Sequence, residues 1–282
     1  MAERLIKSNK LRIGDVSLSY HIKKAATQPE KTIIFLHGFP FNKNMWRQQL
    51  SALPDNCTGI ALDIRGHGNS TSGHGFFSID VFAKDLRAFV KHLNLDNIVI
   101  CGLSMGGYIA LRCYQLFPER IAGIVLCATQ SKADDDAGKQ KRFDSIQAVL
   151  SHGRRPFAIG FVEKVFAPAS LQKESEAIAL IKSSIRRNSI NSICATLLAL
   201  AARTDTSVVL PEIKCPALVI RGKEDRIVSL ADMQYLAKEI PGSRFVEMDD
   251  CGHLPNLEAP EVFNSLLHDF LAAIPAASVV EA

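Results

Sequence analysis

No stretch of the 282-residue chain approaches the run of about twenty apolar residues that a bilayer-crossing helix needs, so a membrane-spanning class is set aside. The segment Met1-Ala2-Glu3-Arg4-Leu5-Ile6-Lys7 is charged and then turns polar, without the apolar core of a signal peptide. Zinc-ligand spacing, a Gly-rich phosphate loop and an internal repeat are all missing, which removes three broad functional classes and leaves no call for a metal or an organic cofactor. Charge of one sign is also scarce. The formal net charge is +4, and basic pairs such as Arg154-Arg155 and Arg186-Arg187 are scattered, so no nucleic-acid partner is expected. The cysteines at 57, 101, 113, 127, 194, 215 and 251 are odd in number and lack paired spacing, and several lie inside apolar runs. They read as reduced, mostly buried thiols, and a cytoplasmic location is the default expectation. The sequons Asn56-Cys57-Thr58 and Asn69-Ser70-Thr71 are then accidental.

What the chain does have is apolar mass, 47% hydrophobic residues, arranged in a recognisable rhythm. Alternating residues from Leu11 to Tyr20 around Gly14-Asp15 predict a hairpin. Continuous apolar runs near 32–37, 58–63, 97–102 and 121–128 predict strands covered on both faces. Between them, Phe82, Leu86, Phe89, Val90 and Leu93 fall at helical spacing behind Ser78, a candidate N-cap. Strands alternating with helices make a parallel sheet, an α/β fold class. From about Gln130 to Pro211 helical patterns follow one another without a strand. That segment carries Phe157, Phe161, Phe166, Ile181 and Leu200 among its apolar residues, some facing an acyl or ring pocket and others packing helix on helix.

The chemistry concentrates at Gly102-Leu103-Ser104-Met105-Gly106, a G-x-S-x-G directly after the apolar run 97–101 and directly before a helical stretch. A nucleophilic serine must be presented on a tight strand-to-helix turn, and the flanking glycines leave room for the strained backbone. Two later strands end in polar loops. Pro216–Ile220 runs into Arg221-Gly222-Lys223-Glu224-Asp225, and Arg244–Met248 runs into Asp249-Asp250-Cys251-Gly252-His253. Serine, acid, then histidine is the chain order of a triad built on successive parallel strands, with Ser104, Asp225 and His253 as its members. Glu224, Asp249, Asp250 and, more remotely, Asp134 stand as other carboxylates that could orient the imidazole. An oxyanion hole needs two N–H donors. Met105, after the nucleophile, supplies one, and Phe39 in His37-Gly38-Phe39-Pro40 supplies the other.

These loops together, with Asp63-Ile64-Arg65-Gly66-His67-Gly68-Asn69-Ser70, resemble the signature loops of the α/β-hydrolase superfamily over residues 11 to 272. The resemblance implies a mostly parallel eight-stranded sheet flanked by helices, with a helical cap inserted after strand 6. The core is then residues 1–129 and 212–282, and the cap 130–211. It places the acid at Asp225, makes His37 and His67 loop braces, and ties loops together through Asp63 and Arg65. The serine at the elbow speaks against the dehalogenases and epoxide hydrolases of the superfamily, which use aspartate. The elbow is most similar to those of 3-oxoadipate enol-lactonases and small carboxylesterases.

The implied activity is a serine hydrolase acting on a small ester or lactone. Carbon–carbon bond hydrolases and slow-turnover ligand receptors of the superfamily share the same motifs. Trp46, Phe161 and Phe166 are the expected pocket residues, although Trp46 equally suits an anchor for the next helix and Cys251 a buried filler. The carboxyl-terminal Ala272–Ala282 is expected to fray after a last helix at 261–271.

Overall fold

Strands buried on both faces need apolar side chains at every position, and this requirement organises the molecule. The computed structural model describes residues 6–27, 30–173 and 175–275. The first two strands, β1 (Ile6–Ile13) and β2 (Val16–Lys23), form the expected antiparallel hairpin, with Ile13 opposite Val16. Its two-residue turn has Gly14 at φ +55°, a left-handed conformation that glycine adopts without a Cβ penalty.

Next come β3 (Lys31–Leu36), a 3-10 turn at Lys43–Trp46, α1 (Arg47–Ala52) and β4 (Cys57–Leu62). They are followed by α2 (Ile79–His92), β5 (Ile98–Leu103), α3 (Met105–Leu116) and β6 (Ile121–Cys127). Ser78 caps α2 by accepting from Val81 N–H at 3.1 Å. Five helices then follow without a strand: α4 (Asp136–His152), α5 (Arg154–Val165), α6 (Pro168–Gln172), α7 (Glu176–Arg187) and α8 (Ile190–Ala201). The chain returns through β7 (Ala217–Gly222), α9 (Leu230–Glu239), β8 (Arg244–Met248), α10 (Pro255–Glu258) and α11 (Pro260–Ala273).

The eight strands lie in the order β1-β2-β4-β3-β5-β6-β7-β8. Every pairing from β4 to β8 is parallel, and β2 alone runs against its neighbours. Alternation along β3 divides the core. Ile34 and Leu36 join α2, α3 and α9 on one face, while Ile33 and Phe35 join Leu50 of α1 and Phe263 of α11 on the other. No helix among the described residues is long and apolar enough to cross a membrane. Among the described residues the seven cysteines are all free, and Cys57, Cys101, Cys113, Cys127 and Cys251 are buried. Of the end at 272–282, expected to fray, Ala272 and Ala273 complete α11 and Ile274 is buried, while 276–282 lie outside the described residues.

Two buried ionic clusters fix the loops at the carboxyl ends of the strands. Asp63, after β4, is fully buried against Lys43 and accepts from the backbone N–H groups of Lys43 (2.7 Å) and Asn69 (2.9 Å). Arg65 forks between Asp85 (2.7 Å) and Asp15 (2.8 Å). Charge-assisted bonds of this kind hold geometry well because each group has several partners.

Candidate active site

Ser104 sits where β5 ends and α3 begins, with φ +54° and ψ −115°. Such a backbone conformation is strained for a residue with a Cβ and persists only when the surroundings impose it. The surroundings do so. Ser104 N–H donates to Cys127 O at 2.9 Å, Thr129 Oγ1 donates to Ser104 O at 2.8 Å, and Gly107 N–H donates to the same oxygen at 2.8 Å. The glycines on either side are obligatory for a different reason: a Cβ at Gly102 would lie 2.3 Å from Gly106 O, and one at Gly106 would lie 2.2 Å from Leu36 O. The turn is this tight because strand, elbow and helix backbones touch.

His253 follows β8, and its Nδ1–H donates to Asp225 Oδ2 at 2.9 Å from the loop after β7. Both side chains are almost fully buried. Burial works to raise the Asp225 carboxyl, yet His253 and the N–H groups of Ile227 and Val228 outweigh it and hold the group below its ordinary value. Two of the other carboxylates are engaged elsewhere. Asp134 pairs with Arg142 (3.0 Å) and Arg203 (2.7 Å), and Asp249 pairs with Lys223 at 2.5 Å. Cys251 is buried, and burial pushes its thiol up to about 12, which keeps it neutral beside the histidine loop.

The side where the oxyanion donors were expected is built on the loop after β3. His37 is fully buried; its Nδ1 bonds Gly38 O at 2.9 Å and its Nε2 accepts from Ile64 N–H at 3.0 Å. Burial, with the neighbouring His67, pushes His37 down to about 3, and burial pushes His67 down to about 4, so both rings are neutral braces. Phe39 follows directly. Met105 is the first residue of α3, a position whose N–H has no partner within the helix and points out of its amino-terminal end.

A narrow cleft of about 70 Å³ brings together Ser104, His253, Phe39, Met105, Tyr108, Phe161, Arg142, Leu200 and Ile227. Among the described residues Ser104 Oγ and His253 share no hydrogen bond, although they line the same space, and such contacts often tighten only when substrate is bound. Of the expected pocket residues, Phe161 is in the cleft. Trp46 and Phe166 are not. Trp46 is fully buried in the core below the site, 5.0 Å from the Phe35 ring and 6.1 Å from Phe263, because the 3-10 turn carrying it packs against β3. Phe166 is buried in the same apolar cluster as the chain leaves α5.

Three lining residues carried no expectation from the sequence. Tyr108 lies four residues after Ser104 and so shares its face of α3, a signal that helical spacing offered. Ile227 lies two residues beyond Asp225 in the same loop. Arg142 had no comparable signal, since α4 mixes polar and apolar residues without a clear buried face and fully buries only Val149.

The described residues contain no cluster of His, Cys, Asp or Glu able to hold a metal ion. The family described as the alpha/beta hydrolase fold matches residues 31–260, spanning the oxyanion loop, the elbow and the histidine loop. The chain belongs to that family. It is 30% identical over 254 residues to 3-oxoadipate enol-lactonase 2 of Acinetobacter baylyi, covering 90% of this chain and 92% of the relative. Among solved structures it is similar to a thermophilic esterase from Thermogutta terrifontis (30% identity, TM-score 0.86, 94% of this chain and 98% of that one). It is also similar to the enol-lactonase from Burkholderia xenovorans LB400, with 25% identity, TM-score 0.87, and coverage of 94% of this chain and 100% of that one.

Proposed function

We propose that this member of the family hydrolyses a small ester or lactone through a Ser104-His253-Asp225 triad and an acyl-enzyme. The observation that carries the reading is the convergence of a strained, half-buried elbow serine and an Asp225-oriented imidazole on one cleft. The enol-lactonase and esterase relatives support the same bond type.

In this reading His253, held in one tautomer by Asp225, takes the Ser104 proton as Oγ attacks the carbonyl carbon. The Phe39 and Met105 N–H groups receive the oxyanion, where charge develops. His253 then gives the proton to the departing alkoxide, leaving the acyl group on Ser104. A water activated by the same ring releases the acid and restores the serine. The strain at Ser104 keeps Oγ presented without a reorganisation step. The helices α4 to α8, the segment 130–211, act as a cap that supplies Phe161, Leu200 and Arg142 to the cleft.

The test is hydrolysis of 4-nitrophenyl esters from acetate to decanoate, with a simple lactone alongside and Ser104→Ala as control. Ser104-dependent turnover with a chain-length optimum supports the esterase form, and faster opening of the lactone favours the lactonase form. Full activity in Ser104→Ala sinks the assignment. Turnover below about one per second on every substrate favours a ligand-receptor role instead.

A further inference from the structure

The cleft at Ser104 does not end there. Arg142, Phe161 and Ile227 line it and also line a second hollow of about 650 Å³ between α4, α5 and the acid loop. Its wall carries Lys141, Arg142, Lys164 and Arg226, with His152, against one carboxylate, Asp134. Asp134 is itself shared between Arg142 Nε and Arg203 Nη1, so it cannot balance both guanidinium groups. Arg203 is withdrawn from the hollow. It is buried, bonded to Lys132 O and Leu200 O, and stacked 4.4 Å above the Tyr108 ring. Arg142 is different: it is 27% exposed, and among the described residues it hydrogen-bonds through Nε and the neighbouring Asp134 alone. Its terminal nitrogens are left for another acceptor at the border between cleft and vestibule.

The geometry points to an anion subsite. The substrate carries a carboxylate or phosphate group, set by Arg142 at the border of the cleft, while the scissile carbonyl lies at Ser104. A guanidinium held by one edge presents its other edge as a planar fork, which suits either oxyanion bidentately. The remaining cations supply a positive field that draws such a substrate in through the vestibule, whose size lies within the usual range for small-molecule sites. The 70 Å³ cleft then holds only the neutral reacting end. This deepens the proposed esterase reading and rests on it.

The test compares matched pairs: 4-nitrophenyl hydrogen glutarate against 4-nitrophenyl pentanoate for an acyl-side anion, and 4-carboxyphenyl acetate against phenyl acetate for an alcohol-side one. The phosphate ester of 4-hydroxyphenyl acetate separates phosphate from carboxylate. The readout is the ratio of kcat/KM for the anionic and neutral members, taken in wild type and again in Arg142→Gln so that intrinsic reactivity cancels.

Loss of one charge-assisted contact lowers that ratio about tenfold to a hundredfold in at least one pair. Arg142→Lys restores part of it, and Lys164→Gln lowers it less. Raising salt from 50 to 500 mM NaCl slows the anionic member only. A ratio unchanged by Arg142→Gln in every pair overturns the subsite. Calorimetry of glutarate binding to Ser104→Ala needs no turnover and decides the matter if the esterase reading itself fails. Binding weakened at least tenfold by adding Arg142→Gln supports the subsite, and equal or absent binding in both proteins removes it.

Discussion

β5 and α4 lie at either side of the cleft and are built on opposite principles. All six residues of β5 are buried, and the elbow that follows has no room for a single added carbon at Gly102 or Gly106. In α4, seventeen residues long, Val149 alone is buried, and Phe143 and Leu150 stand exposed. Ser104, the proposed nucleophile, therefore sits on the part of the molecule that tolerates least change, because dense packing transmits any added volume as strain. Arg142, the group that meets the substrate's far end in the proposed subsite, sits on the part that tolerates most. In the proposed reading, reaction type and substrate choice are carried by separate pieces of the fold.

The sharpest way to break this comparison is Ser104→Ala. It should cut kcat/KM roughly ten-thousandfold to a millionfold, about 5 to 8 kcal/mol in the barrier, while the melting temperature holds, because alanine keeps the Cβ and with it the same backbone strain. Stopped assays and calorimetry on one preparation check both halves. Next comes Asp63→Ala, which leaves Lys43 charged and buried and strips two backbone N–H groups of their acceptor. Urea unfolding should show a loss of about 3 to 5 kcal/mol. The paired change Lys43→Met with Asp63→Asn should recover a large part of it.

The two histidine braces sharpen the comparison through pH. With folded values of about 3 for His37 and about 4 for His67, each ring binds its proton far more readily in the unfolded chain, near 6.5. Their contribution is complete above pH 6.5 and is lost as pH falls from there toward 4, by up to about 3 kcal/mol for each ring at about 1.4 kcal/mol per pH unit. Asp225, held below its ordinary value, acts in the same direction at lower pH. Unfolding free energies at pH 7, 5.5 and 4.5 test the slope, and His67→Gln should flatten it. The smallest effect belongs to α4: Leu150→Ser on its exposed face should change stability by no more than about 0.5 kcal/mol.

What could be read in advance follows the same division. The strands, the Gly14 turn, the Ser78 cap and the strand-end placing of Ser104, Asp225 and His253 were legible because each depends on local pattern: apolar runs, a turn residue, an N-cap, a motif at a strand end. Trp46 and Phe166 were misplaced because size and hydrophobicity mark an aromatic for burial without saying which side of the sheet receives it. Arg142 was invisible for a related reason. Nothing in a helix so little buried as α4 tells which residue will face a cleft formed at the ends of β5, β7 and β8.

The end of α5 also joins the two loops that carry Asp225 and His253. His253 N–H donates to Val165 O at 2.8 Å, Arg226 reaches Glu163 O (2.7 Å) and Phe166 O (2.8 Å), and Glu258 accepts from both Ala167 N–H and Gly252 N–H at 2.8 Å. For protein engineering this sets the cutting points. A chimera that exchanges the whole of 130–211 for a relative's insertion removes the splint from the imidazole, whereas one that exchanges α4 alone and keeps 163–167 leaves the His253 loop held. New substrate ranges are best sought by grafting on the α4 side of that seam.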